Sequence, residues 1–405
     1  MLNKQKSLIG SQFRSLQTVA AMSRSAALAV VAVVGILIST VGCAPQNKST
    51  ESSTQAEAAQ VATFDANLYP LNKVVCDPFD GGGAVEAQGG LKTELYYLTP
   101  GQSYNHVADY IAHGHRSEQT LFFSQLYVPT RMFSLGFNTE TGGQIKDDAG
   151  NSLIEYFALK FSSVLKLAAD QPEGLYQFSI LSDDGAVMRI RDTDGVWKTL
   201  VDNDGNHPTR MGCGTTTLEM RHDTERMLEI SYYQGPRYHI SLIPMFRRVT
   251  SAQAALDSSC GTSGNSLFFN PNANSAIQAA YQNLLGRGWQ PLNKNNYSLP
   301  NTAMFNPCTT TGTPPIISGL HLSEPAATGF TVMWDTDIPS TSQVIYQEVG
   351  GAEQITVADN FLVKTHVVVV PGLKANTLYQ VKAVSISSDL GKTISTSIDV
   401  TTSAQ

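Results

Sequence analysis

The chain has 405 residues, of which 42% are hydrophobic and 15% charged, a composition typical of a folded, mostly β, exported protein of two or three domains. Residues 1–42 hold four basic side chains and no acidic one. The remainder carries 23 basic against 34 acidic residues, so its net charge is −11, where that of the whole chain is −7. This excess of negative charge argues against nucleic acid as a partner and permits cation binding.

The N-terminus predicts a signal peptide over residues 1–42. The apolar run from Ala26 to Ile38 is too short to cross a bilayer, which takes about 20 residues, and it suits a signal-peptide core. Small residues then lead to Cys43, a pattern that resembles the lipobox of bacterial lipoproteins, whose cysteine is lipidated after cleavage. The alternative is an ordinary signal peptide that is cut near Gly42 or Ala44.

Residues 43–75 are expected to form a flexible tether between the membrane and the first domain. The stretch from Gln46 to Gln60 is polar and poor in apolar side chains, as flexible linkers are. The residue after Cys43 is Ala44 and not an aspartate that would retain a lipoprotein at the inner membrane. The lipobox resemblance therefore implies a lipid anchor in the outer membrane, facing either the periplasm or the cell surface.

Four further cysteines form an even set, which favours two disulfides in an oxidising compartment. Three pairings are available to them. We expect Cys76–Cys213 and Cys260–Cys308, because the second bond would close one segment between the domains.

Residues 76–248 contain many short runs of alternating apolar and polar side chains, which predict a β-sandwich or barrel. The clearest run is Gly174 to Gly185, in which Tyr176 and Phe178 alternate with polar residues as in a half-buried strand. It ends in Ser182-Asp183-Asp184-Gly185, residues typical of a tight turn. Two adjacent carboxylates repel each other, so they are either solvated or share a cation.

The rest of the chain predicts a linker and a second β domain. Residues 249–313 are expected to be a linker with one short helix over 274–286, for which Ser275 is the predicted N-cap and Gly286 the C-terminal stop. Residues 314–405 contain at least five alternating runs, which predict a small β-sandwich.

The block from about Leu91 to Arg248 resembles the β-barrel domain first described in anthrax protective antigen, the PA-fourteen family. An ordered set of motifs carries the resemblance: Gly174-Leu175-Tyr176-Gln177-Phe178, Ser182-Asp183-Asp184-Gly185, Met188-Arg189-Ile190, Asp194-Gly195, Asn203-Asp204-Gly205-Asn206-His207 and Leu228-Glu229-Ile230-Ser231-Tyr232-Tyr233-Gln234-Gly235. It implies a β-barrel or sandwich with a role in carbohydrate recognition or as a structural accessory domain.

The C-terminal block resembles a fibronectin type III module, a fold that serves as a spacer or as a protein-binding unit. Trp334 stands where the core tryptophan of that fold would lie, and Leu373 to Tyr379 resembles the corner before its characteristic tyrosine. The expected fold class is therefore all-β, with a protective-antigen-type domain, a short helical linker and a fibronectin type III-like sandwich.

The first resemblance implies a calcium site. In lectin members of that family, an adjacent aspartate pair with an unusual peptide geometry holds Ca²⁺, which bridges to sugar hydroxyls, and Asp183 and Asp184 occupy the matching positions. Ca²⁺ takes about six to eight oxygen ligands, of which vicinal hydroxyls can supply two. Asn203 and Asp204 are candidates for further oxygens, and Trp197 is a candidate stacking platform. The alternative is that the aspartates only hold the turn by accepting backbone N–H groups.

No nucleophile-elbow, phosphate-loop or zinc-protease motif occurs in the sequence, so we expect a binding protein and not an enzyme. The predicted function is a cell-envelope lipoprotein that recognises a glycan or cell-surface polysaccharide, with Ca²⁺ as the expected cofactor. The alternative is a structural or protein-binding surface lipoprotein without a sugar site.

Overall fold

The computed structural model describes residues 59–79, 84–237, 239–250 and 256–405, which form 23 strands and two α-helices. The first sixteen strands are β1 (Gln60–Val61), β2 (Val74–Cys76), β3 (Leu91–Tyr97), β4 (His115–Phe123), β5 (Val128–Met132), β6 (Phe157–Leu165), β7 (Gly174–Asp183), β8 (Ala186–Arg191), β9 (Trp197–Asn203), β10 (Arg210–Met220), β11 (Arg226–Gln234), β12 (His239–Val249), β13 (Phe269–Asn270), β14 (Ala276–Ile277), β15 (Gln290–Pro291) and β16 (Tyr297–Ser298). The last seven are β17 (Ile317–Leu322), β18 (Gly329–Glu348), β19 (Glu353–Ile355), β20 (Asp359–Pro371), β21 (Leu378–Ile386), β22 (Lys392–Ile394) and β23 (Ile398–Thr401).

The helical elements are few and short. The α-helices are α1 (Val107–His113) and α2 (Ala279–Gly286), and 3₁₀ turns occupy Leu71–Lys73, Pro271–Ala273 and Lys294–Asn296. Within the described ranges no helix has the length and apolar character that crossing a membrane requires. The predicted signal peptide and Cys43 lie outside the described residues.

Strands β2 to β16 build the N-terminal module, in which two sheets pack face to face. The larger sheet has the order β2-β4-β3-β6-β11-β8-β9, with β16 against β6, and the smaller has the order β10-β7-β12-β15, with β5 against β12. Alternate side chains of each strand point inward and form one core, which includes Phe161, Phe178, Ile230 and Phe246. No hydrogen-bonded ladder joins the two sheets within the described ranges, so of the two predicted forms, barrel or sandwich, the module has that of an open sandwich.

Strands β17 to β23 build the C-terminal module, which is also a sandwich. The 20-residue strand β18 belongs to both of its sheets, because its first half pairs with β17 and β20 and its second half with β19 and β21. Trp334 is buried in the core and its Nε1 donates to Ser385 Oγ at 3.0 Å. The main-chain N–H of Lys374 donates to Tyr379 Oη at 3.0 Å, the contact of a tyrosine corner.

The predicted tether is wrong for its described part, residues 59–75. Strand β1 pairs with β20 of the C-terminal module, and β2 pairs in parallel with β4 of the N-terminal module. Tyr69, Leu71 and Val74 are buried in a cluster with Phe122 of one module and Ile386 of the other. This segment, which we call the arm (residues 59–76), is ordered because its apolar side chains fill the junction between the modules.

The predicted linker is largely part of the N-terminal module. Strand β15 pairs with β12 and β16 with β6, and helix α2 buries Tyr281 and Leu284 against Ile243 of β12. The short helix is confirmed, but it begins at Ala279 and not near Ser275. The φ angle of Ser275 is 56°, which is left-handed and incompatible with the predicted N-cap.

The expected disulfide pairing is wrong. The bonds are Cys76–Cys308 and Cys213–Cys260, each with a Cα–Cα separation of 5.6 Å. Cys76 ends β2 at the junction of the modules, where the chain also passes just before it enters the C-terminal module. Cys213 lies on β10, beside the segment that follows β12. The pairing therefore depends on how the former linker packs, which spacing in the sequence does not reveal.

Candidate functional site

The acidic turn connects the two sheets of the N-terminal module. Asp183 ends β7 in the smaller sheet, where it pairs with Ser241 of β12, and Ala186 begins β8 in the larger sheet. The peptide bond between Asp183 and Asp184 is cis. A Cβ on Gly185 would lie 2.5 Å from Tyr233 Cε1 and 2.6 Å from Asp204 Oδ1, so only glycine fits between the turn and its neighbours.

Backbone N–H groups hold three of the four carboxylate oxygens of the pair. The N–H of Thr209 donates to Asp183 Oδ2 at 3.1 Å, that of His207 to Asp184 Oδ1 at 3.1 Å, and that of Gly235 to Asp184 Oδ2 at 2.8 Å. Asp183 Oδ1 receives no hydrogen bond from any described residue. The turn therefore has fixed carboxylates and one oxygen to which no donor among the described residues is bonded.

The two carboxylates are buried, and no basic side chain of the described residues forms an ion pair with them. Each aspartate is only 6% exposed. Burial raises the pKa of Asp183, and the neighbouring charge of Asp184 raises it further. Burial also raises the pKa of Asp184, and no basic side chain contributes to the pKa of either group. Such a pair favours either protons or a bound cation.

Aromatic side chains pack beneath the acidic turn. Tyr232 is fully buried, and its Oη lies 2.6 Å from the main-chain oxygen of Asp183, to which it donates. Tyr233 stacks on Tyr110 of helix α1 at 4.5 Å between ring centroids, and its Oη donates to Asn206 Oδ1 at 2.6 Å. This packing holds the turn rigidly between the large sheet and α1.

Asn203 lies next to the turn, but its side chain is used by the protein. It is 1% exposed, its Nδ2 donates to Ser182 Oγ at 2.9 Å, and its Oδ1 accepts from Arg210 Nε at 2.7 Å. Its carboxamide therefore links β7 and β10, the two strands that flank the turn, and both its oxygen and its nitrogen have protein partners.

Asp204 also serves the fold. Its Oδ1 accepts the N–H of Val107, the first residue of α1, at 3.0 Å, and its Oδ2 lies 3.2 Å from His106 Nδ1. The carboxylate thus caps the start of α1 from another part of the chain.

Trp197 is remote from the acidic turn. Strands β8 and β9 pair Ala186 with Asn203 at the turn and Arg191 with Trp197 at the far end, five residues away, or about 17 Å along the strand. The ring of Trp197 lies under the guanidinium of Arg189 at 5.6 Å. The structure therefore does not bring Trp197 to the aspartates.

Asn265 is a residue at the turn that the sequence analysis missed. The N–H of Thr209 is shared between Asp183 Oδ2 at 3.1 Å and Asn265 Oδ1 at 3.3 Å, so these two oxygens lie side by side. Asn265 is 82 residues from Asp183 in the sequence and belongs to the supposed linker. The sequence contains one indication of this position: Asn265 follows Cys260 by five residues. Cys260 is bonded to Cys213, which lies on β10 next to the turn.

The donor set fits a hard cation. Asp183, Asp184 and Asn265 present carboxylate and amide oxygens, which Ca²⁺ prefers, and water or a ligand would have to complete the coordination. Within the described ranges, one group of three acidic, histidine or cysteine side chains lies close enough together to hold a metal: Cys76, Cys308 and Glu140. The two cysteines form a disulfide, so their sulfurs are not free thiolate ligands.

Comparisons with known proteins give only distant likenesses. No family model matches the chain, and the comparison with curated proteins found no similar sequence. Among solved structures, a PA14 sugar-binding domain from an RTX adhesin is 22% identical, with a TM-score of 0.28, and the match covers 44% of this chain and 99% of that one. The Epithelial Adhesin 6 A domain of Candida glabrata, solved with Galb1-3GlcNAc, is 12% identical, with a TM-score of 0.29, over 51% of this chain and 96% of that one.

A third solved structure matches a smaller part of the chain. The FN5 domain of Drosophila Lar is 19% identical, with a TM-score of 0.20, and the match covers 23% of this chain and all of that domain. At these identities and TM-scores, neither module inherits a function from its neighbours. The chain is similar in part to a PA14 domain and to an FN5 domain, and these likenesses show no function for it.

Proposed function

We propose that the protein binds glycans through a divalent cation, Ca²⁺, at Asp183 and Asp184. The observation that carries the proposal is a pair of buried carboxylates with no basic partner and with one oxygen, Asp183 Oδ1, that no described donor satisfies. A bound Ca²⁺ would neutralise both charges and leave coordination positions that sugar hydroxyls can fill. The role is binding and not catalysis.

The acidic turn lies beside one end of strand β6 of the larger sheet. Gly235, which donates to Asp184, follows the end of β11 that pairs with Phe157 of β6. The other end of β6, at Leu165, pairs with β16, and Leu299 just beyond β16 packs in the cluster that buries the arm. The two ends of β6 are about 26 Å apart. Strand β2 of the arm lies level with Lys160 to Ser162 of β6, through β4 and β3.

We further propose that the protein is exported and anchored to the outer membrane by a lipid on Cys43. Incorporation of labelled palmitate in a bacterial host tests the anchor: we expect label on the wild type and none on Cys43→Ser. Equal labelling of both proteins would contradict the assignment.

Calcium titration calorimetry followed by a glycan array tests the site. We expect Ca²⁺ to bind the wild type and glycan binding to require Ca²⁺. Replacing both carboxylates, Asp183→Asn with Asp184→Asn, should abolish both signals, because amides supply no charge for the cation.

A matched control is the double variant Asp192→Asn with Asp194→Asn. It removes the same charge from an exposed hairpin, where Lys198 pairs with both carboxylates at 2.7 and 3.0 Å. We expect it to bind Ca²⁺ and glycans like the wild type. Calcium-dependent glycan binding that survives in the Asp183/Asp184 variant would refute the proposal.

The second candidate is a structural or protein-binding envelope lipoprotein. Two observations favour it. The two aspartates accept hydrogen bonds from three backbone N–H groups, as a purely structural turn would. The side chains of Asn203 and Asp204 also bond to other parts of the protein. The absence of heat on titration with millimolar Ca²⁺, together with unchanged glycan-array signals with and without Ca²⁺, would favour this candidate.

A further inference from the structure

We propose that residues 257–265 form the second wall of the cation site and that the Cys213–Cys260 disulfide positions it, so that cation binding requires the oxidised protein. This inference rests on the proposed function. It concerns a segment that the sequence assigns to a linker, and it makes the redox state of one disulfide a condition for binding.

The segment forms a short ladder with the beginning of β10. The N–H of Gly264 donates to the oxygen of Thr209 at 2.9 Å, that of Met211 to the oxygen of Thr262 at 3.1 Å, and that of Gly261 to the oxygen of Met211 at 2.8 Å. The ladder ends on one side at Thr209 and Asn265, next to Asp183. At its other end lies the Cys213–Cys260 disulfide. One end of the ladder is therefore held at the acidic turn and the other by a covalent bond.

The far end of the segment has a second attachment. Asp257 has a side chain that is 1% exposed, and it accepts two hydrogen bonds from Arg287, both at 2.7 Å. It also accepts from Trp289 Nε1 at 3.1 Å, and Arg247 lies 3.3 Å away. Asp257 thus ties the start of the segment to helix α2 and to β12.

The disulfide matters because three backbone bonds do not by themselves specify one register. A slip by one residue turns each side chain of a strand to the opposite face. Such a slip would take Asn265 Oδ1 away from the N–H of Thr209 and therefore away from Asp183. The covalent link between Cys213 and Cys260 excludes that slip.

Reduction would remove the constraint in a balanced step. A dithiol such as dithiothreitol transfers two electrons and two protons to the Cys213–Cys260 bond, giving two thiols, and is itself oxidised to a cyclic disulfide. Both cysteines are half-buried, so the bond lies near the surface. The site would then assemble only after export to an oxidising compartment.

The test uses the full mature chain with the variant Cys76→Ser/Cys308→Ser, in which Cys213–Cys260 is the one remaining bond among the described disulfides. In the oxidised state we expect its Ca²⁺ affinity to lie within about twofold of that of the wild type. Dithiothreitol should lower the affinity at least tenfold, and reoxidation should restore it.

Hydrogen exchange without Ca²⁺ supplies an independent readout. Reduction should speed exchange at Thr209, Met211 and Gly264, whose N–H groups lie in the ladder or at the turn, and should leave Val381 in the C-terminal core unchanged. Unchanged affinity and unchanged exchange on reduction would each overturn the inference.

Two further measurements separate the inference from its premise. If Cys76→Ser/Cys308→Ser does not fold, the variant Arg287→Gln keeps both disulfides but weakens the Asp257 attachment, and a loss of Ca²⁺ affinity is again expected. Wild-type affinity in that variant, with faster exchange at Gly264, would count against the positioning role. An oxidised wild type that binds no Ca²⁺ would overturn the proposed function and the redox dependence with it.

Discussion

The N-terminal module buries carboxylates in two places, and their surroundings are opposite. Asp257 is surrounded by Arg247, Arg287 and the indole of Trp289, and its pKa lies below its usual range because Arg287, a backbone N–H and Trp289 hydrogen-bond to it. Asp183 and Asp184 are equally buried without any cation, and their pKa values are raised. The difference teaches that Asp257 is a completed structural contact, whereas the acidic turn lacks the positive charge that would complete it.

The largest effect expected from this comparison concerns Asp257. Asp257→Ala removes the carboxylate that accepts from both Arg287 and Trp289 and should lower the free energy of unfolding by about 3 to 5 kcal/mol. Denaturant unfolding followed by tryptophan fluorescence measures it. A loss below about 1 kcal/mol would mean that water replaces the carboxylate and that Asp257 is not a strong structural contact.

The pH dependence of stability should have opposite signs at the two places. Raised pKa values mean that the folded protein holds protons that the unfolded chain releases. The contribution of the acidic turn to the free energy of unfolding is therefore fully present below pH 3.8, the ordinary pKa of an aspartate. It is lost as the pH rises through about 6 for Asp184 and about 8 for Asp183. The pKa of Asp257 is lowered, so its contribution is lost as the pH falls below 3.8.

Denaturant unfolding in EDTA between pH 4 and pH 9 measures the first of these slopes. We expect the stability of the wild type to fall with rising pH, and excess Ca²⁺ should remove the fall. The variant Asp183→Asn/Asp184→Asn should show neither behaviour. If the stability of the wild type rose over the whole pH range, the pKa values of Asp183 and Asp184 would not be raised in the folded protein.

A smaller effect of the opposite sign is expected for Asp183→Asn alone. The amide can still accept the N–H of Thr209, and it removes one of two charges that burial disfavours. In EDTA at pH 8 the variant should therefore be more stable than the wild type by about 1 kcal/mol. Calcium should no longer raise its melting temperature, and destabilisation in EDTA would contradict the expected gain from removing a buried charge.

The smallest effect is expected for Asp192, whose side chain is 23% exposed and contacts Lys198 and Arg226. Lys198 is exposed, so solvent screens that pair, and Asp192→Asn should change the free energy of unfolding less than either buried substitution. Differential scanning calorimetry on the three single variants gives the ranking directly. An Asp192 effect as large as that of Asp257 would show that burial does not explain the difference.

Local sequence predicted the elements of the site better than its surroundings. The alternation from Tyr176 to Ile180 and the following Asp-Asp-Gly located the strand and the turn, because period-two burial and turn chemistry are local properties. Asn203 and Asp204 were rightly placed near the turn, but their side chains brace the fold. Trp197, a neighbour in sequence, lies at the far end of its hairpin.

By itself the sequence determined the all-β class, the two modules, the position of the acidic turn and the roles of Trp334 and Tyr379 in the second core. These follow from periodicity and local residue chemistry. Only the tertiary structure decided the disulfide pairs, the ordered arm and the place of Asn265 beside Asp183. Each of these joins segments that are far apart in the chain, and such contacts depend on how sheets stack, which local patterns do not encode.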